Sequence, residues 1–564
     1  MFIYKKERVF IMIKKRLLQI ALLTFSLFAL PVTAQKVLHV NINNGNDEND
    51  GLKWSTAFKN IQPAIDAAGS KDVVYVAKGI YYPTKKLSGV VGGEIDPSTP
   101  TTDVSRSFLL KRDIKIYGGF PAYSTDATTM NDRNWESNRT ILSGDFNNDD
   151  GPNFENTGEN ALHVVVMLNA TPEMVLDGFY IEGGVASEEK SVSTIYINGL
   201  IVMQTYGGGI YAIADFGSSP TLSNLVISNN YADNDGGGFF NYSEGGNSSP
   251  ELTNVTIINN FAKVRGGGYY SFGKSAFPKL KNVIMSGNEA LEGGGFVCWT
   301  EEGDCSPEFE NVLISGNIAK KSGGAYIWAM ATNACPKLIN TTICGNNVTT
   351  DFAAGGIYIL ATGQSKPIIK NTVIWGNKSF RRETDNIALG SDRGESAPLI
   401  ENCLIEGLDL GVLNLNGDID PKFVNHIDAD YAPTRSHKGN YRLTAASPLI
   451  NRGNNSAITL SEDIEGEIRI FSDAVDIGAY ESKYTTSGNE TTDAFNKSIW
   501  SYQDNIFIKI RSNTEYIRIY SINGILAKQV NNPEEGIHTL NMPEGFYIVT
   551  LSTGETAKVL ITKN

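Results

Sequence analysis

Pro250-Glu251-Leu252-Thr253-Asn254-Val255-Thr256-Ile257-Ile258-Asn259-Asn260, followed after five residues by Gly266-Gly267-Gly268-Tyr269-Tyr270, is one copy of a unit that the chain writes seven times. The leading prolines are Pro220, Pro250, Pro278, Pro307, Pro336, Pro367 and Pro398, at steps of 28 to 31 residues. Four residues after each stands an asparagine: Asn224, Asn254, Asn282, Asn311, Asn340, Asn371 and Asn402. A period of this length means a solenoid, a propeller or an array.

Within the unit, apolar residues one and three places after the asparagine (Val255 and Ile257 in this copy) alternate as a strand does, with both side chains on one face. The apolar residue two places after the proline (Leu252) lies an odd number of positions earlier, so strict alternation would send it to the other face. If all three face one core, the phase slips between them. The asparagine is the place for it, because Asn tolerates the left-handed conformation that a bend needs.

Stacked units would align the asparagines into a side-chain amide ladder. A second column, Asn230, Asn260, Asn288, Asn317, Asn346 and Asn377, sits six residues on, and Leu408 takes its place in the seventh copy. Coil stacking is sufficient reason for both columns. Glycine triplets permit tight turns and close approach between coils. Each unit lacks a helical pattern and is too short to bury its own face. The sequence therefore predicts an all-β chain built on a right-handed parallel β-helix. A propeller blade needs roughly 40–50 residues and four strands.

Around this core, Ala57 to Ala68 reads as a short amphipathic helix that caps the open end of the first coil, as a solenoid requires. The β-helix is expected over residues 35–484, with regular repeats over about 206–407 and a less regular closing segment from Asp420 to Glu481. Residues 485–497 are polar and read as a linker, and 498–564 as a small β-sandwich. At the other end, Lys14-Lys15-Arg16, an apolar run from Leu17 to Leu30 and Val32-Thr33-Ala34 make residues 1–34 an export signal, cleaved between Ala34 and Gln35. The run is short for a membrane span, and the mature chain is expected to have none.

Formal net charge is −14, and residues 1–34 carry an excess of basic residues, so the rest is more acidic still. That balance excludes nucleic acid as a partner and argues against simple electrostatic capture of acidic polysaccharides. The five cysteines lack paired metal spacing, and no histidine lies between His163 and His426, so a zinc site is not expected. Cys305 and Cys335, just before the prolines of successive coils, are the candidate disulfide.

Three segments resemble known families. Ile257 to Asn260 with Gly266 to Tyr269 resembles the repeats of chlamydial polymorphic outer-membrane proteins. Leu176-Asp177-Gly178-Phe179, with the closing Gly439 to Leu443, Ser447 to Asn451 and Asp476 to Glu481, resembles secreted β-helix proteins of the pectin-lyase-like superfamily. Ile517 to Gly524, Gly545 to Val549 and Lys558 to Leu560 resemble a Bacteroidetes type IX secretion sorting domain, without the Pro-Asn-Pro usual at its start. That last resemblance implies the type IX secretion machinery as partner, passage through the outer membrane, and a cell-surface or extracellular location.

Three constellations are candidate sites. Tyr211, Phe240, Tyr242, Tyr270, Phe272 and Trp299 share one strand parity, and Ile210, Phe239, Tyr269, Phe296 and Tyr326 the other. One set must be core, and the first would then be an exposed strip on which sugar rings stack. Asp235, Arg265, Glu292 and Lys321 stand beside the glycine triplets. They read either as an alternating-sign ladder or as a lyase base next to acidic metal ligands. Asp145, Asn147, Asp149 and Asp150 offer oxygens as a calcium loop does, though the glycine is one place late for an EF-hand. The functions these allow are an adhesin or glycan-binding protein for a surface polysaccharide or host glycan, a polysaccharide lyase or glycoside hydrolase on the same fold, and a structural surface spacer.

Overall fold

The computed structural model describes residues 35–561 apart from 88–89, 92–93, 96–102, 112, 191–194, 301–302, 330–333, 353, 362–364, 380–385, 392–397, 412, 430–434, 487–488, 491–498, 503–504, 511–513 and 522. The export signal, residues 1–34 with Ala34, and most of the 485–497 linker lie outside the described residues. The chain divides into two compact units, residues 1–470 with 474–481, and residues 471–473 with 482–564.

In the first unit each of the first five repeats lays one strand into each of three parallel sheets. Eight-residue strands such as Glu251–Ile258, Lys279–Ser286 and Glu308–Ser315 stack in the first sheet. Five-residue strands such as Phe239–Ser243 and Tyr269–Gly273 form the second. Short strands such as Tyr231–Ala232 and Phe261–Ala262 form the third. The registers run equivalent residue on equivalent residue, Leu252 on Leu280 and Ile257 on Met285. This is a parallel β-helix.

The phase slip falls on the asparagines. Asn224, Asn254, Asn282, Asn311, Asn340, Asn371 and Asn402 all have φ between 48° and 55°. A left-handed residue in mid-strand turns Leu252, Val255 and Ile257 to the same side, and all three are buried in one continuous core. The two amide columns run in opposite directions. In the outer one Asn254 Nδ2 donates to Asn224 Oδ1 at 3.2 Å, back toward the preceding coil. In the inner one Asn260 Nδ2 donates forward to Asn288 Oδ1 at 3.1 Å, and the same oxygen accepts the Asn260 backbone N–H at 3.0 Å.

The glycine triplets fit against the inner ladder. Gly266 has φ 61°, and a Cβ on Gly268 would lie 3.1 Å from the Asn288 amide. In the fourth copy Ser322 takes the first glycine's place at φ 59°. The strand therefore begins at Ala325, which pairs with Phe296 in the first core, while Tyr326 pairs with Val297 and is buried in the second apolar cluster on the other face of the sheet. This corrects the expected parity of Tyr326.

The capping helix runs Ile61–Ala67, with Ile61, Ala64 and Ile65 in the core. Gln62 Oε1 accepts the Leu109 N–H at 2.9 Å and its Nε2 donates to the Leu109 carbonyl at 3.3 Å. One side chain thus satisfies backbone groups on a strand edge.

The closing segment docks on the outer ladder. Asn311, Asn371 and Asn402 donate to the carbonyls of Glu462, Asn454 and Arg452 at 2.7 to 3.0 Å. Its own centre is Arg469, fully buried, paired with buried Glu481 at 3.2 Å and donating to the carbonyls of Asp476 and Gly478.

The expected Cys305–Cys335 bridge is corrected: Cys305 is bonded to Cys298, and Cys335 is free. Cys305 stands two places before its proline and Cys335 one, so stacking sets Cys335 beside Ser306, whose Oγ accepts the Cys335 N–H at 2.8 Å. Cys305 points into the core, where Cys298 also lies.

In the second unit, two antiparallel sheets, one containing Asn505–Ile510 and the other Tyr516–Ser521, pack Ile506, Ile508, Ile517, Ile519, Val549 and Ile561 in one core. Among the described residues no helix is long and apolar enough to cross a membrane.

Two stability outcomes follow from the amides and the ion pair. Asn288→Ala orphans buried donors and acceptors on both neighbouring coils and should cost about 3 kcal/mol or more, whereas Asn254→Ala, on the half-solvated outer ladder, should cost about 1–2 kcal/mol for a left-handed alanine. Urea unfolding followed by circular dichroism checks the order. Arg469→Met takes the guanidinium away from buried Glu481, at a cost of about 3–5 kcal/mol. Limited proteolysis should then cut the closing segment first.

Candidate functional site

The aromatic strip does not form a stacking platform. Tyr211, Phe240 and Tyr270 are buried in a second apolar cluster with Leu200 and Val202 of the hairpin Ile195–Ile197/Leu200–Val202. The Tyr211 hydroxyl donates to the Ile201 carbonyl at 3.0 Å. Tyr242, Phe272 and Trp299 are half-buried. Tyr242 and Phe272 stack at 5.3 Å and 7°, and Trp299 stacks on Trp328 at 5.3 Å with the Arg265 guanidinium 4.3 Å from its centroid. Rings piled along the solenoid axis spend their faces on each other, so a sugar meets edges. The expected glycan platform is corrected to a structural aromatic ladder.

Asp235, Arg265, Glu292 and Lys321 come together as neighbours on successive coils. Arg265 pairs with Asp235 at 3.2 Å and Lys321 with Glu292 at 3.4 Å. Burial pushes Asp235 up to about 6 despite Arg265 beside it. Each acid has its base, and the four residues do not line the cleft described next.

That cleft, of about 930 Å³, opens beside the third sheet. Its floor is a column of successive coils, Val185 on Tyr231 on Phe261 on Glu289, each the residue that follows an inner-ladder position or its equivalent. Tyr231 and Phe261 stack at 5.3 Å and 8°, and Phe154 meets Tyr231 edge-on at 5.4 Å. The facing wall is the loop from Asn153 to Gly158, in which Asn153, Phe154 and Asn156 are all left-handed. Arg435 closes one side, with its guanidinium 5.2 Å from the Phe154 centroid. Lys190 ties the wall down by donating to the carbonyls of Thr157 and Asn160. Burial lowers Lys190 to about 8 and also lowers Arg435, and burial raises Tyr231 to about 12. Lys263, bonded to Asp233 and Tyr231, is held above its ordinary value. Sequence reading missed this cleft. Its one signal is that two consecutive copies, and no others, carry an aromatic residue directly after the inner asparagine.

Behind the same loop, ligand oxygens of Asp145, Asp149, Asp150 and Glu159 lie within 4.8 Å of one another. Three of these are the aspartates of the expected calcium loop. Glu159 was not foreseen, and Asn147 is exposed. Asp145 accepts the backbone N–H groups of Asn148, Asp149 and Asp150, which folds the loop into a cup. Four carboxylates on this spacing suit a hard divalent cation such as calcium. Partial burial, with Asp145 and Glu159 nearby, pushes Asp150 up to about 6.

No protein-family model matches the chain, and no curated protein matches it. Among solved structures, the chain is similar to one described as the complex structure of XylC with xylose, at 12% identity and a TM-score of 0.28, over 80% of this chain and 99% of that one. It is also similar to a rhamnogalacturonan lyase, at 11% identity and a TM-score of 0.24, over 81% and 97%. The class is defined by the strand pairing itself: a parallel β-helix with a lateral cleft.

The raised Asp150 gives a signed test. Between about pH 4, where an unfolded aspartate titrates, and about pH 6, the folded state holds a proton that the unfolded state has lost. Its contribution to stability is therefore present at low pH and lost as pH rises through 6. Asp150→Asn should raise the melting temperature at pH 7 and leave it unchanged at pH 4. Added calcium that binds the cup should invert the pH 7 result, because the variant has lost a ligand.

Proposed function

We propose that this protein is an exported, cell-surface β-helix protein that binds a glycan and serves as an adhesin. The observation that supports this reading is the cleft. Its volume suits an oligosaccharide, its base is aromatic, and hydrogen-bonding side chains converge on it from three separate segments of chain. The signal-like N-terminus and the sorting-domain-like C-terminal sequence support export through the type IX secretion machinery. The partner is then a surface polysaccharide or a host glycan.

A second reading, a polysaccharide lyase, is favoured by Lys190. This partly buried amine with a lowered pKa lines the cleft beside four carboxylates, as a base beside a metal would.

A glycan array probed with the full chain tests the first reading. Phe154→Ala should weaken binding about tenfold or more, and Trp299→Ala should leave it within twofold. Equal loss from Trp299→Ala, or binding indifferent to Phe154, would move the site away from the cleft. Unsaturated products from incubation with polysaccharides would put the lyase reading first.

A further inference from the structure

We infer that the cleft takes a saccharide bearing an anionic group, a carboxylate or a sulfate, held between Lys190 and Arg435. The inference rests on the glycan reading and names the class of sugar. Its basis is an imbalance in pairing. Several half-buried cations elsewhere in this acidic chain find carboxylates: Arg133 has Asp177, Arg265 has Asp235, Lys321 has Glu292 and Lys370 has Glu401. Lys111, Lys378, Arg518 and Lys528 have none among the described residues, but none of these lines the cleft. Lys263, at the cleft floor, has Asp233.

Lys190 and Arg435 differ. Both are half-buried, both line the cleft, and neither has a carboxylate at ion-pair distance among the described residues. Lys190 spends its ammonium on two backbone carbonyls. Arg435 reaches only Asn153 Oδ1, at 3.5 Å, and its buried Nη1 has no hydrogen-bond partner. A cation taken out of water without a counter-charge is costly, and an anion arriving between the two would offset that cost. The lowered pKa of both groups agrees with the same desolvation.

Glu289 sharpens the choice. It lines the same cleft, and its charge acts on Arg435 without forming an ion pair. An acid at that position opposes a second anion, so the site fits one isolated anionic group on a sugar better than a dense polyanion. Asp150 and Glu159 act on Lys190 in the same way, without an ion pair.

Titration calorimetry on the full chain decides the matter with three probes: a glucuronate-containing oligosaccharide, its carboxyl-reduced neutral form, and a sulfated neutral oligosaccharide of the same length. The acidic or the sulfated probe should bind at least about tenfold more tightly than the neutral one, and the two charged arms separate carboxylate from sulfate. Arg435→Gln and Lys190→Gln should each cut that preference to within about twofold. Glu289→Gln should tighten binding of the charged probe several-fold relative to the neutral one, a gain that misfolding cannot mimic. Equal affinity for charged and neutral probes overturns the inference and leaves the glycan reading standing. A preference that survives both substitutions also overturns it. Binding to none of the three removes the glycan reading and this inference together.

Discussion

A left-handed asparagine in the middle of a long strand is the constraint on which the β-helix depends. Without that reversal, Leu252 and Val255 would face opposite sides of the sheet, and no coil could enclose a core. The residue that bends the chain also bonds the coil before it. The second asparagine, six residues on, does the complementary work: it bonds forward and holds the space that a glycine leaves vacant. Geometry and cohesion thus reside in the same side chains, so the repeat tolerates variation almost everywhere else.

Most of the solenoid was legible for that reason. The odd spacing between Leu252 and Val255 already required a slip, and asparagine was the residue able to take it. The cap was legible because an amphipathic dozen residues had no other role. Illegible were features set by a one-residue offset between copies. Cys305 and Cys335 look equivalent until their distances to the prolines are compared, and Tyr326 looks like core until Ser322 is recognised as the first residue of a triplet.

The site was less legible, since it is assembled from parts that the repeat does not contain. Tyr231 and Phe261 belong to the repeat, but Phe154, Lys190 and Arg435 come from an irregular early coil, a connecting segment and the closing segment. Periodicity pointed instead to the aromatic column, because a column is what periodicity reveals. Regular stacking is also what disqualifies that column: rings in register cover each other. Recognition arises here where register ends and unlike segments face one another.

Gln62 carries an implication of its own. A parallel solenoid is in principle endless, since each coil offers the next an unfilled row of donors and acceptors. On the strand Arg106–Lys111, the amide of Gln62 imitates the backbone of the absent preceding coil at Leu109. The helix therefore acts as a chain terminator in the polymer sense. Its loss would turn a closed edge of the second sheet into one open to a further strand.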